Sequence, residues 1–394
     1  APFGDRIGAE SGVVVGAGSV RRDVAPRARF WGPPNRRYPV FWAARGDPAS
    51  GAMDLIKHRG AQLISITDAD GFFSGLQQRI QTLERVQRQN PLSIELLISS
   101  TKRFLAKPEF RIQLDELVSE EAQRVLSQLD ADDLSPQAPW GLAAYRARVK
   151  KYEAIAEGLA STAGVLGRWG NGAELPLLLD VIGSLYAHAE KVGGGLTVYL
   201  GLRSYPAVLV FTAYGLGAAR AGRWDALHKL FNATIDREHR KSKRVVETLF
   251  LWSWKGNEND VWKQLEGLER RKTPFSDHLL EVMALWSKPF IGLVPDFEML
   301  FERFEVLGSL AHFEGNSKSE AQTTLASPDH QSRVWMPVGR SGWHEGPAAK
   351  LMSELQSEAT RANLLKAGFA KGDAELIDLF IANFRRIASY MSWM

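Results

Sequence analysis

The chain has 394 residues, 45% hydrophobic and 24% charged, which is globular composition and too apolar for a disordered chain. It contains no cysteine, which excludes disulfides, a thiolate nucleophile and cysteine-ligated zinc or iron–sulfur centres, and fits a reducing compartment such as the cytoplasm. The net charge of +4 is local: residues 1–50 hold eight Arg against four acids, and the rest balances 41 basic against 41 acidic residues.

The first 80 residues alternate strand-like runs with Gly-, Pro- and Arg-rich turns. Val13-Val14-Val15 reads as a buried strand ending in Gly16-Ala17-Gly18-Ser19. Tyr38 to Ala43 is a second strand, with Pro39 at an edge or among its first residues. A helix from Ala52 to Arg59 is closed by Gly60, and Ala61 to Ile66 is a third strand. Asp68-Ala69-Asp70 then supplies an N-cap for a helix beginning near Gly71. Strand and helix alternating over short connections is the grammar of a parallel sheet. Three strands make a partial Rossmann-like α/β sheet, because doubly wound folds usually carry about five or six.

From about residue 72 to 150 the pattern is helical, with an acidic, then Pro/Ser-rich stretch at Asp130 to Pro139 that reads as a linker. Beyond Trp140 apolar residues recur at helical spacing through Trp169 and again over Leu175 to His188. Val208 to Arg220, the turn at Ala221-Gly222-Arg223, and Trp224 to Ile235 form a helical hairpin, and a similar unit spans Leu364 to Met391. Such units predict a large all-α, helical-repeat-like region; helix, Gly-containing turn and helix suggest tetratricopeptide-like stacking, but the irregular spacing makes it an α-helical array and not a proven repeat. Arg333 to Val338 is a short strand-like exception, residues 315–332 read as a polar loop, and a helix starts near Pro347. The expected divisions are therefore 1–80 (α/β), 81–139 (helical connector) and 140–394 (α-helical). The most apolar stretch, Tyr205 to Leu216, is bounded by Arg203 and Arg220 and falls short of the ~20 residues of a membrane span, so no membrane partner is expected.

Several patterns bear on chemistry. Gly16-Ala17-Gly18-Ser19-Val20-Arg21 opens like a dinucleotide fingerprint, in which glycines let pyrophosphate approach backbone N–H groups at a helix start. Its sixth position is Arg21 in place of Gly, and no acid stands at the ribose position about 20 residues on. The basic run Arg237 to Arg244 could meet phosphates, yet on a helix it reads as a solvated face, so nucleic acid is not the expected partner. Trp252, Trp254 and Trp262 could stack bases, but their Leu and Phe neighbours point to core packing. No metal-ligating motif is legible.

The order of residues 13–80 resembles the last third of a sirtuin-like (SIR2) domain of the bacterial defence type. The features that carry it are the Gly/Ser turn followed by Arg22-Asp23, the aromatic strand Val40-Phe41-Trp42-Ala43-Ala44-Arg45-Gly46, and the closing Asp68-Ala69-Asp70-Gly71-Phe72-Phe73. The resemblance covers about 65 residues and is strongest over 40–76. It implies a protein that hydrolyses NAD⁺ to ADP-ribose and nicotinamide in antiphage defence, with the helical region as sensor or assembly platform. By position it carries over Gly16, Ser19 and Asp23 as ribose or phosphate contacts, and Asp68 and Asp70 as adenine-side or helix-capping residues. The family's first phosphate loop and its catalytic Asn and His have no counterpart here, so this chain is expected to lack the catalytic half and to be inactive alone. Ala1 fits either a processed start or a piece of a longer protein. The rival expectation is a non-enzymatic helical scaffold or sensor, homo-oligomeric or bound to a protein partner.

Overall fold

The β-branched run at Val13 forms β1 (Val13–Gly16), which lies parallel to β2 (Val40–Ala44), and β2 lies parallel to β3 (Gln62–Ser65). The sheet order is β1-β2-β3, with Val13 opposite Val40 and Phe41 opposite Gln62. The computed structural model describes residues 13–16, 40–76, 94–237, 240–329 and 332–393. The crossover between β2 and β3 is helix α1 (Ser50–Arg59). It stops at Gly60, whose left-handed backbone (φ 59°) lets the N–H groups of Gly60 and Ala61 reach the carbonyls of Lys57 and Ile56. Ala52 and Ile56 of α1 pack on Trp42 and Ala44 of β2 as a small core. Helix α2 begins at residue 69 and is described to 76.

The chain divides between Pro91 and Leu92. The second unit is built almost entirely of helices, as the periodicity predicts. Its first members are α3 (Ile94–Leu105) and α4 (Arg111–Leu129). The long α5 (Leu142–Trp169) follows, then α6 (Leu175–Glu190), α7 (Tyr205–Ala221) and α8 (Trp224–Asn232). The later members are α9 (Pro274–Trp286), α10 (Phe297–Phe313), α11 (Lys318–Ala326), α12 (Glu345–Gln356), α13 (Glu358–Lys366) and α14 (Ala374–Trp393). One continuous core runs from Ile98 to Ile387. None of the described helices is long and apolar enough to cross a membrane.

The centre of this unit is the contact of α5 with α7. The two helices run parallel: the Tyr205 hydroxyl donates to Glu153 at one end (3.1 Å), and Gly167 lies against Tyr214 and Ala218 at the other. Every residue of α7 from Tyr205 to Ala219 is buried, as expected for a helix that is apolar all round. A Cβ on Gly217 would stand 2.2 Å from the Gly164 carbonyl oxygen, and one on Gly167 would stand 2.2 Å from that of Tyr214. Just past α7, the Arg223 guanidinium donates to the carbonyls of Leu166 and Gly167, which end α5, and to buried Glu174 at 2.7 Å. Glu174 also accepts from the Tyr214 hydroxyl and the Gly172 N–H.

Four expectations are corrected here. The Asp130 to Pro139 stretch is folded against the helices: Leu134 is buried, Ser135 accepts from Arg148, and Pro136 accepts from the Leu196 N–H. The basic run is a strand, β5 (Arg240–Arg244), antiparallel to β4 (Thr234–Arg237), and not a helical face. Residues 318–326 of the supposed polar loop form α11, capped by Ser317, which accepts from the Glu320 N–H. Residues 333–338 are extended but pair with no strand. Their polar groups are taken by side chains, because the buried Asn383 amide bonds both the N–H and the carbonyl of Val334 and Ser309 donates to the Pro337 carbonyl. The irregular spacing of the array carries through to the described helices of this unit, whose lengths run from 28 residues in α5 to 4 at Asn259–Trp262.

Replacement of Gly217 by Ala is expected to destabilise the protein by ~1–3 kcal/mol, since the methyl meets backbone that cannot retreat. Gly183→Ala, in the interior of α6 where a Cβ meets nothing within 4 Å, is expected to stabilise by ~0.5–1 kcal/mol. Urea midpoints should therefore move in opposite directions. A shared direction would refute the account of the α5–α7 contact.

Candidate anion-binding cleft

Three of the five positions expected to hold a dinucleotide lie among the described residues. Gly16 is the last residue of β1, opposite Ala43 of β2. Ser19 and Asp23 lie outside the described residues. Asp68 accepts the Gly71 N–H at 2.6 Å, the N-cap arrangement that the spacing allows. Asp70 is exposed in the first turn of α2.

An open cleft of about 900 Å³ lies elsewhere, in the helical unit. Its floor is the extended segment 333–338, which contributes Arg333, Trp335, Met336 and Val338. The end of α14 contributes Tyr390 and Met391, and the loops before α9 contribute Trp252, Lys263, Arg270, Arg271 and Lys272. Five cations thus face the cleft against one acid, Glu269. This excess is local, because residues 51–394 carry no net charge.

The lining is held from behind. The Trp252 indole N–H donates to the Val338 carbonyl at 3.0 Å, which leaves its ring on the rim at 38% exposure. Trp335 is 60% exposed, and its ring rests edge-on against His312 at 5.1 Å. The Arg333 guanidinium lies 3.8 Å over the Tyr390 ring. The Lys272 ammonium donates to the carbonyls of Met391 and Ser392, tying the loop to the end of α14. Arg271 stands 3.9 Å from Asp277, which is buried. Lys263 and Arg270 have no acidic partner among the described residues.

Behind the floor is a buried acidic cluster. Arg340 bonds Asp277, Glu298 and Glu302, and His344 meets Glu302 at 2.8 Å. Glu298, Glu302 and His344 are spaced as metal ligands could be, but the Arg340 guanidinium already sits between the two glutamates and supplies their positive charge. Burial pushes the Glu305 carboxyl well above the usual carboxylate range, while the Ser276 hydroxyl beside it and the Ser341 backbone oppose that shift. A Cβ on Gly339 would stand 2.1 Å from the Glu305 oxygen, so glycine is required where the floor crosses this cluster.

Of the tryptophans assigned to core packing, Trp254 and Trp262 are buried as expected, but Trp252 faces the cleft. Trp335 and Arg333 were legible only as part of a strand-like run. The sequence signal for this site was the pairing of exposed-type aromatics with the Arg270-Arg271-Lys272 triplet, which carries no recognised motif. Comparison of the chain with protein-family models, with curated proteins and with solved structures finds no match.

His312, beneath Trp335, yields a pH prediction. Burial, reinforced by Arg244, lowers its pKa to about 4, while Glu247 works in the other direction. The folded protein therefore keeps His312 neutral while the unfolded chain protonates near pH 6.5. Stability should be complete above that pH and fall as pH drops toward about 4, by ~3 kcal/mol from this residue. Urea denaturation of the protein and of His312→Leu across this range should give a shallower pH slope in the variant; parallel curves would contradict the assignment.

Proposed function

We propose that this chain combines an α/β unit related to the sheet-closing part of SIR2-like NAD⁺ hydrolases with a helical unit that recognises an anionic ligand through its basic cleft. The first half of the proposal rests on the resemblance over 13–80 and is supported by the consecutive parallel strands β1-β2-β3, the Gly60-terminated crossover and the Asp68 cap. On this reading the sheet belongs to a partial Rossmann-like arrangement, and Gly16, Ser19, Asp23, Asp68 and Asp70 lie toward the dinucleotide. No residue of the chain takes the place of the family's catalytic Asn and His. NAD⁺ would be the substrate of the parent activity, and the setting would be the cytoplasm of a bacterium under phage attack. The helical unit would then serve as the sensor, in a homo-oligomer or beside a protein partner.

The second half is carried by one observation: five cations converge on a single cavity that holds one acid. Surface charge usually alternates in sign, and a cavity that gathers one sign raises the local concentration of the opposite ion.

Two measurements test the two halves. Incubation of the 394-residue chain with NAD⁺ should release no nicotinamide above a protein-free blank; release would overturn the reading that these residues include no counterpart of the family's catalytic Asn and His. Inorganic pyrophosphate should raise the melting midpoint, because a ligand of the native state stabilises it. The rise should shrink with added salt and vanish in the double variant Lys263→Glu/Arg270→Glu. No rise, or an equal rise in the variant, would remove the anion reading.

A further inference from the structure

We infer that the cleft takes a free nucleoside phosphate, with its phosphates on Lys263, Arg270 and Arg271 and its base stacked on Trp335 and the neighbouring aromatics. This rests on the anion reading above and adds a ring to it.

Phosphate alone does not account for the lining. A volume of about 900 Å³ is far more than a phosphate or pyrophosphate fills, and lies near the upper end of cavities that enclose small organic ligands. Three aromatic side chains, Trp252, Trp335 and Tyr390, stand exposed at this one cavity; Trp140 and Trp169 are exposed singly elsewhere in the unit, and most of its other described aromatics fill the core. Packing within the chain does not require a tryptophan that is 60% exposed. Each of the three is also fixed before any ligand arrives: Trp252 through its N–H to Val338, Trp335 on His312, and Tyr390 under Arg333. A pre-fixed flat surface is what a planar base needs, since no side-chain freedom remains to be lost on stacking.

The cations divide by availability. Lys272 is committed to the α14 carbonyls and Arg333 to the Tyr390 face. Arg271 is nearly half exposed and only loosely held at 3.9 Å from Asp277. Lys263 and Arg270 have no acidic partner among the described residues. The groups ready to receive phosphate therefore come from the 263–271 loop, and the groups ready to receive a ring come mainly from the floor and α14. A nucleoside phosphate carries the same two chemistries joined by a ribose. A nucleic-acid strand would call for cations repeated along a groove, whereas here the unpaired cations sit in one bounded cavity.

Isothermal titration of the full chain with ADP, pyrophosphate, adenosine and a ten-nucleotide oligothymidylate tests this. ADP should bind at least about tenfold more tightly than either pyrophosphate or adenosine. Trp335→Ala should weaken ADP about tenfold or more and leave pyrophosphate unchanged; because Trp335 is exposed, the variant should keep its circular dichroism spectrum and melting midpoint. Lys263→Glu/Arg270→Glu should abolish both. If pyrophosphate binds as well as ADP, or Trp335→Ala leaves ADP untouched, the ring is overturned while the anion cleft stands. If neither ADP nor pyrophosphate responds to the charge reversals, the anion reading fails and takes this inference with it. Tighter binding of the oligonucleotide than of ADP would overturn the assignment in favour of a strand-binding site.

Discussion

The helical unit depends on the contact in which the backbones of α5 and α7 touch. Gly164, Gly167 and Gly217 leave no room for a side chain, and each faces backbone or an aromatic ring of a neighbouring element. The same device recurs outward: Phe304 of α10 fills the space a Cβ on Gly215 would need, and Phe250 does so for Gly308 of α10. Close approach of two helices places many weakly attracting atoms at contact distance, and it sets the spacing into which the surrounding phenylalanines fit. Arg223 locks the end of this pair by bonding the last α5 carbonyls, whose partners a helix terminus lacks, to Glu174. Because that guanidinium and carboxylate are buried together, loss of either would strand the other in the interior.

Such a rigid centre explains why irregular chain can carry the cleft. The segment 333–338 is extended without a neighbouring strand, a state that would leave its polar backbone groups unsatisfied. Asn383, Ser309 and Trp252 supply the missing partners at Val334, Pro337 and Val338, and they stand on or beside helices fixed by the core. The floor is therefore held in place while the Trp335 ring stays exposed at the cleft.

Much of the architecture was legible in the sequence. The valine run, the Gly60 stop, the Asp68 cap and the Gly222 turn are local signals, decided by residues within a few positions of one another, and each appears where it was expected. The failures have a common physical cause. Asp130 to Pro139 has the composition of a tether, but Arg148, 13 residues beyond Ser135, holds it down. Residues 333–338 have the composition of a strand, but the partner is a side-chain amide some fifty positions later. The run at Arg240 has the charge of a solvated helix, yet it pairs with β4 and is anchored by Arg244, which bonds Glu247, Asn232 and the Ala311 carbonyl. Composition reports the solvent preference of a segment; it does not report which distant group satisfies its backbone. The cleft escaped for the same reason, since its cations and aromatics come from separate stretches between Trp252 and Met391 and converge only in the fold.

The acidic cluster and the cleft occupy opposite sides of the same floor, and their charges are handled differently. Asp277, Glu302 and Glu305 are buried, and burial raises the pKa of each; Arg340 supplies positive charge to Asp277 and Glu302. Arg271 stands at the boundary, close enough to Asp277 to feel it and exposed enough to face the cavity. An anion in the cleft would compete with Asp277 for that guanidinium. Asp277 also accepts from Thr273, which in turn receives the Trp343 indole N–H. Occupancy of the cleft would thus act on the carboxylate that orients Arg340, and through it on α10 and the turn leading to α12. The physical continuity between the cleft and the core thus runs through charge and hydrogen bonds at fixed positions.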